Sequence, residues 1–395
     1  MKAIVLNAQW KPKKDSTLGQ KDVDGKLTYL GSRVWKNPSI EIKEIEKPQI
    51  KDDEVLIRVK ACGICGSDVH MAQPDKDGYI FYPGLTAFPV VLGHEFSGEV
   101  AAAGENAINK STGKRFVKGE AVCAEEMFWC SCCRPCADGY PNHCERLQEL
   151  GFSVDGAFTD YVVVNARYLW SIESLRKTYG NGEKLFLAGS LVEPTSVAYN
   201  AVIERGGGIR AGDNVVILGG GPIGLAAAAI LKRSGASKVI LSETQDERAS
   251  LARKMGVVTD IVDPSKEDFA QRVLEITDGY GADLYLEATG LPAMVFPGIE
   301  KAVWEGKALN SRIVIVARAD AKIPVTGEVL QVRRASIIGA QGHSGDGTFP
   351  RVISAMSAGM DMSPLVTKTI SLDEVPENII ALRTDRKECK ITALI

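Results

Sequence analysis

Residues 214–243 (NVVILGGGPIGLAAAAILKRSGASKVILSE) restrict the fold of this chain more than any other stretch. Residues 215–218 form a short apolar run rich in β-branched side chains, the pattern of a strand buried on both faces. Gly219, Gly221 and Gly224 follow at G-x-G-x-x-G spacing, and Pro222 sits where a first helical turn accepts a residue without an N–H. The spacing then predicts a helix over 225–232, ending near Gly235, and a second strand over 238–241. In such a unit the first glycine permits the tight turn and the second lets backbone approach a pyrophosphate. The third lets helix and strand pack closely, so that phosphate meets the helix N-terminus. Glu243 closes the unit as an acceptor for ribose hydroxyls, and its charge repels a 2′-phosphate, so NAD is expected rather than NADP. A glycine triplet alone is often only a strand-to-helix turn, but here strand, helix, second strand and terminal acid agree.

The chain has 395 residues, more than one typical core, so two domains are expected. Lys plus Arg (47) nearly balances Asp plus Glu (50), which gives no reason to expect nucleic acid or an anionic membrane as partner. No apolar run approaches the roughly 18 residues of a membrane span. The opening MKAIVLNAQWKPKK turns polar too soon for a signal-peptide core. A cytoplasmic protein with reduced thiols is therefore expected, and its nine cysteines need an explanation other than disulfides.

Two glycine-flanked motifs carry the first chemistry. In KACGICGSDVH (60–70) the glycines bend the chain and present Cys65, Ser67, Asp68 and His70 toward a cavity. In FPVVLGHEFSGEV (88–100), His94 and Glu95 follow directly on an apolar run. Cys65, His94 and Glu95 form a mixed sulfur, nitrogen and oxygen ligand set typical of zinc. Downstream, CSCCRPCADGYPNHC (130–144) places Cys130, Cys133, Cys136 and Cys144 at C-x2-C-x2-C-x7-C spacing. Four thiolates around one ion leave no position open for substrate, so this metal is expected to be structural. A register through Cys132 instead of Cys133, or an iron–sulfur cluster, would use the same kind of ligands. Cys62, Cys123 and Cys389 carry no pattern and read as small core residues.

The remaining segments supply the frame. Strands are expected over 3–6, 40–45, 54–60 and 156–164, with the lysine-rich stretch 9–31 as an exposed loop or hairpin. The charged, glycine-containing stretch 171–184 reads as a surface excursion, and 191–204 as a helix started by Pro194, with Glu193 either an exposed cap or an inward ligand. After Glu243, helices over 246–255, 266–276, 293–304 and 349–359 alternate with strands over 283–287, 312–317 and 336–339. Crossovers of that length require a parallel sheet with helices on both faces.

In their order, KACGICGSDVH, GHEFSGEV, the four-cysteine lobe, LVEPTSVA, the glycine turn and EATG resemble the zinc-containing medium-chain alcohol and polyol dehydrogenases. The likeness spans nearly the whole chain and is strongest to the polyol branch, which includes sorbitol, threonine and inositol-ketone dehydrogenases. It implies an α/β fold in which a doubly wound Rossmann domain (195–339) is joined to a mostly β, GroES-like catalytic domain (1–194), with 340–395 returning to the latter. It implies catalytic zinc on Cys65 and His94, with Glu193 at the third-ligand position and Glu95 ligating directly or exchanging with it. Ser67 matches the hydroxyl that takes the substrate proton and His70 the histidine that relays it. NAD contacts are implied at Gly219, Gly221, Pro222, Ile223, Gly224, Glu243, Arg248 and Thr289. The stretches 9–31, 104–119 and 171–184 are extra, and Glu120 stands where the family usually has Asp.

The resemblance therefore implies hydride transfer between a secondary alcohol of a polyol or cyclitol and NAD, in a homodimer or homotetramer. A threonine-type amino alcohol dehydrogenase is the nearest rival. A zinc-stabilised NAD-binding protein without turnover is the rival outside enzymes.

Overall fold

The computed structural model describes residues 1–319, 321–343 and 345–395. Asn214–Leu218 lies at the centre of a six-stranded sheet whose order is Asp260–Val262, Lys238–Ser242, Asn214–Leu218, Leu284–Glu287, Arg312–Ile315, Ser336–Gly339, and all its pairings are parallel. Successive side chains of a strand point to opposite faces. Val215 and Ile217 accordingly join one hydrophobic cluster, with Leu225 and the alanines of helix Pro222–Arg233, while Val216 and Leu218 join another with Phe296 and Ile299. The chain winds outward one way through Lys238–Ser242 and then the other way from Leu284–Glu287, so a topological switch point falls at the carboxyl end of Asn214–Leu218. The glycine turn occupies that point.

A second, seven-stranded sheet has Glu54–Gly63 at its heart, flanked by Glu95–Ala103, Tyr161–Asn165 and the last strand, Lys390–Leu394. Val366–Ser371 pairs parallel with that last strand, so the C-terminal segment completes a sheet begun by the N-terminal part. A further sheet pairs Lys2–Trp10 with Trp35–Glu44 and Val90–Val91. Among the described residues no helix is long and apolar enough to cross a membrane.

Two segments differ from the sequence expectation. The stretch 9–31 is not simply an exposed loop: it holds the end of the first strand and a helix, Gln20–Gly25, and then turns inward. Leu27 and Leu30 pack on the core, Thr28 is buried and bridges Thr86, and a Cβ on Gly31 would lie 2.7 Å from the Tyr82 carbonyl. The two leucines in a polar run supply the reason. The stretch 171–184 likewise is no mere excursion, because Ile172 and Leu175 are fully buried while its charges stay outside. Helix Val192–Tyr199 starts two residues before Pro194 and continues as a π-helical turn, Asn200–Arg205.

Candidate zinc and dinucleotide site

Strand register brings the first ligand set together. Gly63 pairs with Glu95, so Cys65, two residues beyond Gly63, meets His94 and Glu95 across the sheet end. Gly63 is required there, since a Cβ would lie 2.6 Å from Glu95 Oε2. Cys65 caps helix Gly66–Ala72, and its backbone N–H donates to Asp68 Oδ2 at 2.9 Å. One ligand atom each from Cys65, His94 and Glu95 lies within 4.8 Å of the others. Burial lowers the His94 pKa to about 4, which keeps the imidazole neutral and able to ligate, and its buried Nδ1 has no hydrogen-bond partner. Burial pushes the Cys65 thiol up, so a thiolate there requires a neighbouring cation. This donor set fits zinc.

Lys390, which no sequence signal singled out, completes the surroundings. Its buried ammonium donates to Ile64 O at 2.9 Å and to Glu95 Oε2. Burial disfavours that charge, but Glu95 and Cys65 outweigh it and hold the pKa above the ordinary lysine value. Asp68 is fully buried, with Oδ1 3.9 Å from His94 Nδ1, and burial raises its carboxyl to about 7. Ser67 Oγ is buried without a partner. Burial, and Arg386 nearby, lower the His70 pKa.

Glu193 is inward and buried, which resolves the ambiguity left by its spacing. Its nearest ligating neighbours are Glu126 and His343, all three offering atoms within 4.8 Å of one another, while Glu95 and Asp68 act on it electrostatically. His343 Nδ1 lies 3.1 Å from Glu125 Oε2, and Nε2 accepts the Glu126 N–H at 3.3 Å. Sequence reading missed Glu126 and His343 because they are 217 residues apart and belong to no motif.

In the four-cysteine lobe, Cys130, Cys133, Cys136 and Cys144 converge, with Cys133 Sγ 3.4 Å from Cys136 Sγ and 3.8 Å from Cys144 Sγ. Metal–sulfur bonds of about 2.3 Å at tetrahedral angles put sulfurs about 3.8 Å apart, so the cage suits one zinc. Backbone N–H groups, first that of Cys132, pull the Cys130 pKa down to about 5 and favour the thiolate. Cys132 is exposed and accepts from Arg146 Nη2 at 3.1 Å, outside the cage. Cys62, Cys123 and Cys389 are buried.

At the switch point, Gly219 has φ +101° and a Cβ on Gly224 would lie 1.9 Å from the Gly219 carbonyl oxygen. Pro222 opens the helix, followed by Ile223. Glu243 is pinned by three backbone donors: Gly220 N at 2.7 Å to Oε2, and Thr244 N and Gln245 N at 2.8 Å to Oε1. Arg248 lies beside Gly221, 3.8 Å from where a Cβ would be, and Thr289 borders Gly219 on the other side, with its Oγ1 and N donating to Glu287 Oε1. Glu120, in place of Asp, accepts from Asn109 Nδ2 at 2.8 Å and ties down the 104–119 loop.

Comparison with known proteins agrees with this geometry. Residues 51–174 match the alcohol dehydrogenase GroES-like domain, and 222–358 match the zinc-binding dehydrogenase domain. The chain is 62% identical over 395 residues, 100% of both chains, to scyllo-inosose 3-dehydrogenase of Thermotoga maritima. It is 32% identical to L-threonine 3-dehydrogenase of Bacillus licheniformis, over 94% of this chain and 100% of that one. A solved structure of a candidate alcohol dehydrogenase from Thermotoga maritima superposes with a TM-score of 0.96 at 62% identity, covering 100% of both chains.

Proposed function

Because this chain belongs to the zinc-binding alcohol dehydrogenases with a GroES-like domain, we propose that it oxidises a secondary alcohol of a cyclitol with NAD as acceptor. The observation that carries the reading is the convergence of Cys65, His94 and Glu95 in a chain 62% identical, end to end, to an enzyme named for a cyclitol ketone. Zinc supplies the Lewis acidity that lets an alcohol lose its proton near neutral pH, and NAD supplies the hydride acceptor. Cys65, His94 and Glu95 would hold that zinc, while the ligating oxygens of Glu193 group with Glu126 and His343 instead. Ser67 and His70 are three apart on helix Gly66–Ala72 and so share a face. The unpartnered Ser67 Oγ takes the hydroxyl proton, and His70, kept neutral by burial, passes it on toward solvent. The glycine turn, Pro222, Ile223, Arg248 and Thr289 line the dinucleotide path, and Glu243 accepts from the ribose hydroxyls. Cys130, Cys133, Cys136 and Cys144 would hold a second, structural zinc.

The unit boundaries near 194 and 339 are supported by the return of Lys390–Leu394 to the sheet of Glu54–Gly63; we infer a homodimer or homotetramer in the cytoplasm from the family to which the chain belongs. One observation favours a second substrate reading: the Arg318 guanidinium, 5.3 Å from the Tyr82 ring, is a cation suited to the carboxylate of threonine. The deciding experiment is NAD reduction by zinc-loaded protein across inositols, inososes, linear polyols, threonine, butane-2,3-diol and simple alcohols. Preference for the inositols or inososes sustains the cyclitol reading. Preference for threonine, or for open-chain alcohols, overturns it.

A further inference from the structure

Beyond the zinc ligands lies a buried group of carboxylates that the proposed chemistry does not use. Strand Gln148–Glu149 pairs antiparallel with Met127–Phe128, and the Leu150 N–H just beyond it donates to the Glu126 carbonyl at 2.9 Å, so Glu126 and Glu149 sit at the same end of this ribbon, close enough for their charges to interact. Both are buried, at 5% and 1% exposure, and Glu149 Oε2 has no hydrogen-bond partner. Glu126 stands within 4.8 Å of Glu193, which itself feels the charge of Glu95, so a continuous line of carboxylates leads away from the zinc ligands. On the far side Arg318 Nη1 is 3.5 Å from the Tyr82 hydroxyl, and its guanidinium lies 5.3 Å from the Tyr82 ring and 6.0 Å from the Tyr29 ring. Tyr82 reaches toward the metal ligands as well: its N–H donates to the His70 carbonyl at 3.2 Å, and its ring lies 5.2 Å from that of Phe152, which is 4.7 Å from the His94 ring. Tyr29 comes from the 9–31 insertion, which folds inward to reach this place.

An unpartnered buried carboxylate is costly, and its retention calls for a ligand that brings donors. A cation held by Glu126, Glu193 and His343 would leave Glu149 unserved, because Glu149 lies outside that group of potential ligands. A neutral ring bearing several adjacent hydroxyls supplies donors in the number and spacing needed. We propose that Glu126 and Glu149 accept hydrogen bonds from cyclitol hydroxyls remote from the reacting carbon, with Arg318 and Tyr29 closing over that side of the ring. This assignment rests on the cyclitol reading above, and it makes these residues determinants of specificity.

The test is steady-state kinetics of zinc-loaded wild type, Glu149→Gln and Glu126→Gln on an inosose or inositol and on its single-deoxy analogues, with zinc content measured for each protein. Losing one hydrogen bond to a buried carboxyl should raise KM for the cyclitol by about threefold to tenfold, with a smaller change in kcat and unaltered zinc content. The penalty that wild type pays for the analogue lacking the contacted hydroxyl should vanish in the variant, since both deletions remove the same bond. Unchanged KM, additive penalties for every deoxy analogue, or a third metal ion in wild type that the variants lose would each overturn the subsite alone. Wild type that turns over no cyclitol would overturn the functional reading, and the subsite with it.

Discussion

Replacing Glu243 by alanine tests the coenzyme assignment and the architecture of the glycine turn together. The carboxylate sits at the carboxyl end of strand Lys238–Ser242, 8% exposed, held by the N–H groups of Gly220, Thr244 and Gln245. As an acceptor for the ribose hydroxyls it contributes about 1.5–3 kcal/mol, the range for hydrogen bonds to a charged group. At about 1.4 kcal/mol per decade, kcat/KM for NAD should fall about tenfold to a hundredfold. For NADP the sign reverses: the repulsion of a 2′-phosphate disappears, and Arg248, beside Gly221, is left to pair with it. The ratio of kcat/KM for NAD over NADP should therefore drop by about two orders of magnitude or more. A stability cost accompanies the change. Gly220 is buried, so its N–H loses its acceptor at about 1–3 kcal/mol, whereas Thr244 and Gln245 are exposed and water replaces theirs. Melting should fall by a few degrees, at about 2–4 °C per kcal/mol for a unit of this size. Initial rates with both coenzymes at a fixed alcohol concentration, paired with a thermal melt, read out both effects. An unchanged coenzyme ratio in a variant with the expected melting loss would refute the ribose role and leave Glu243 as a turn-holding residue only.

Cys65→Ser should cut turnover at least about a hundredfold and lower metal content by about one zinc per chain with little change in melting, as for loss of a catalytic site. Cys133→Ser should instead lower the melting temperature by disassembling the cysteine cage, and identical behaviour of the two variants in metal analysis and melting would contradict the division of roles. Gly224→Ala forces a Cβ to 1.9 Å from the Gly219 carbonyl, so it should cost about 1–3 kcal/mol or more and weaken NAD binding, measurable by nucleotide fluorescence titration. Glu149 gives a pH signature. Burial, only partly offset by Arg318, raises its pKa from 4.5 to about 7, so its ionisation destabilises the fold as pH rises through 7 and costs nothing below 4.5. Glu149→Gln should thus melt higher than wild type at pH 8.5, by up to about 3 kcal/mol, and the gap should close toward pH 5. A constant gap across that range would remove the charge-based explanation.

Local sequence carried the parts whose chemistry and geometry are both local. The glycine turn, the strand at Ser336–Gly339 and helix Asp246–Met255 fell where periodicity put them, because backbone conformation and burial pattern there follow from neighbours within a few residues. The thiols of Cys130, Cys133, Cys136 and Cys144 lie within reach of one another, while Cys132 stands outside that group against Arg146. The helix Gly327–Arg333 and the strands Val366–Ser371 and Lys390–Leu394 went unread, being short and without strong periodicity.

By itself the sequence determined the strand–turn–helix unit and the spacing of Cys130, Cys133, Cys136 and Cys144, and it nominated Cys65, His94 and Glu95 as metal-type ligands, because residue chemistry and short spacing suffice for that. Only the tertiary structure decided that Lys390 meets Glu95, 295 residues away, and that Glu193 sits with Glu126 and His343. It alone decided that the 9–31 insertion brings Tyr29 to Arg318. Those contacts are made by strand register and chain return across hundreds of residues, and buried charges find their partners only once the sheets have closed around them.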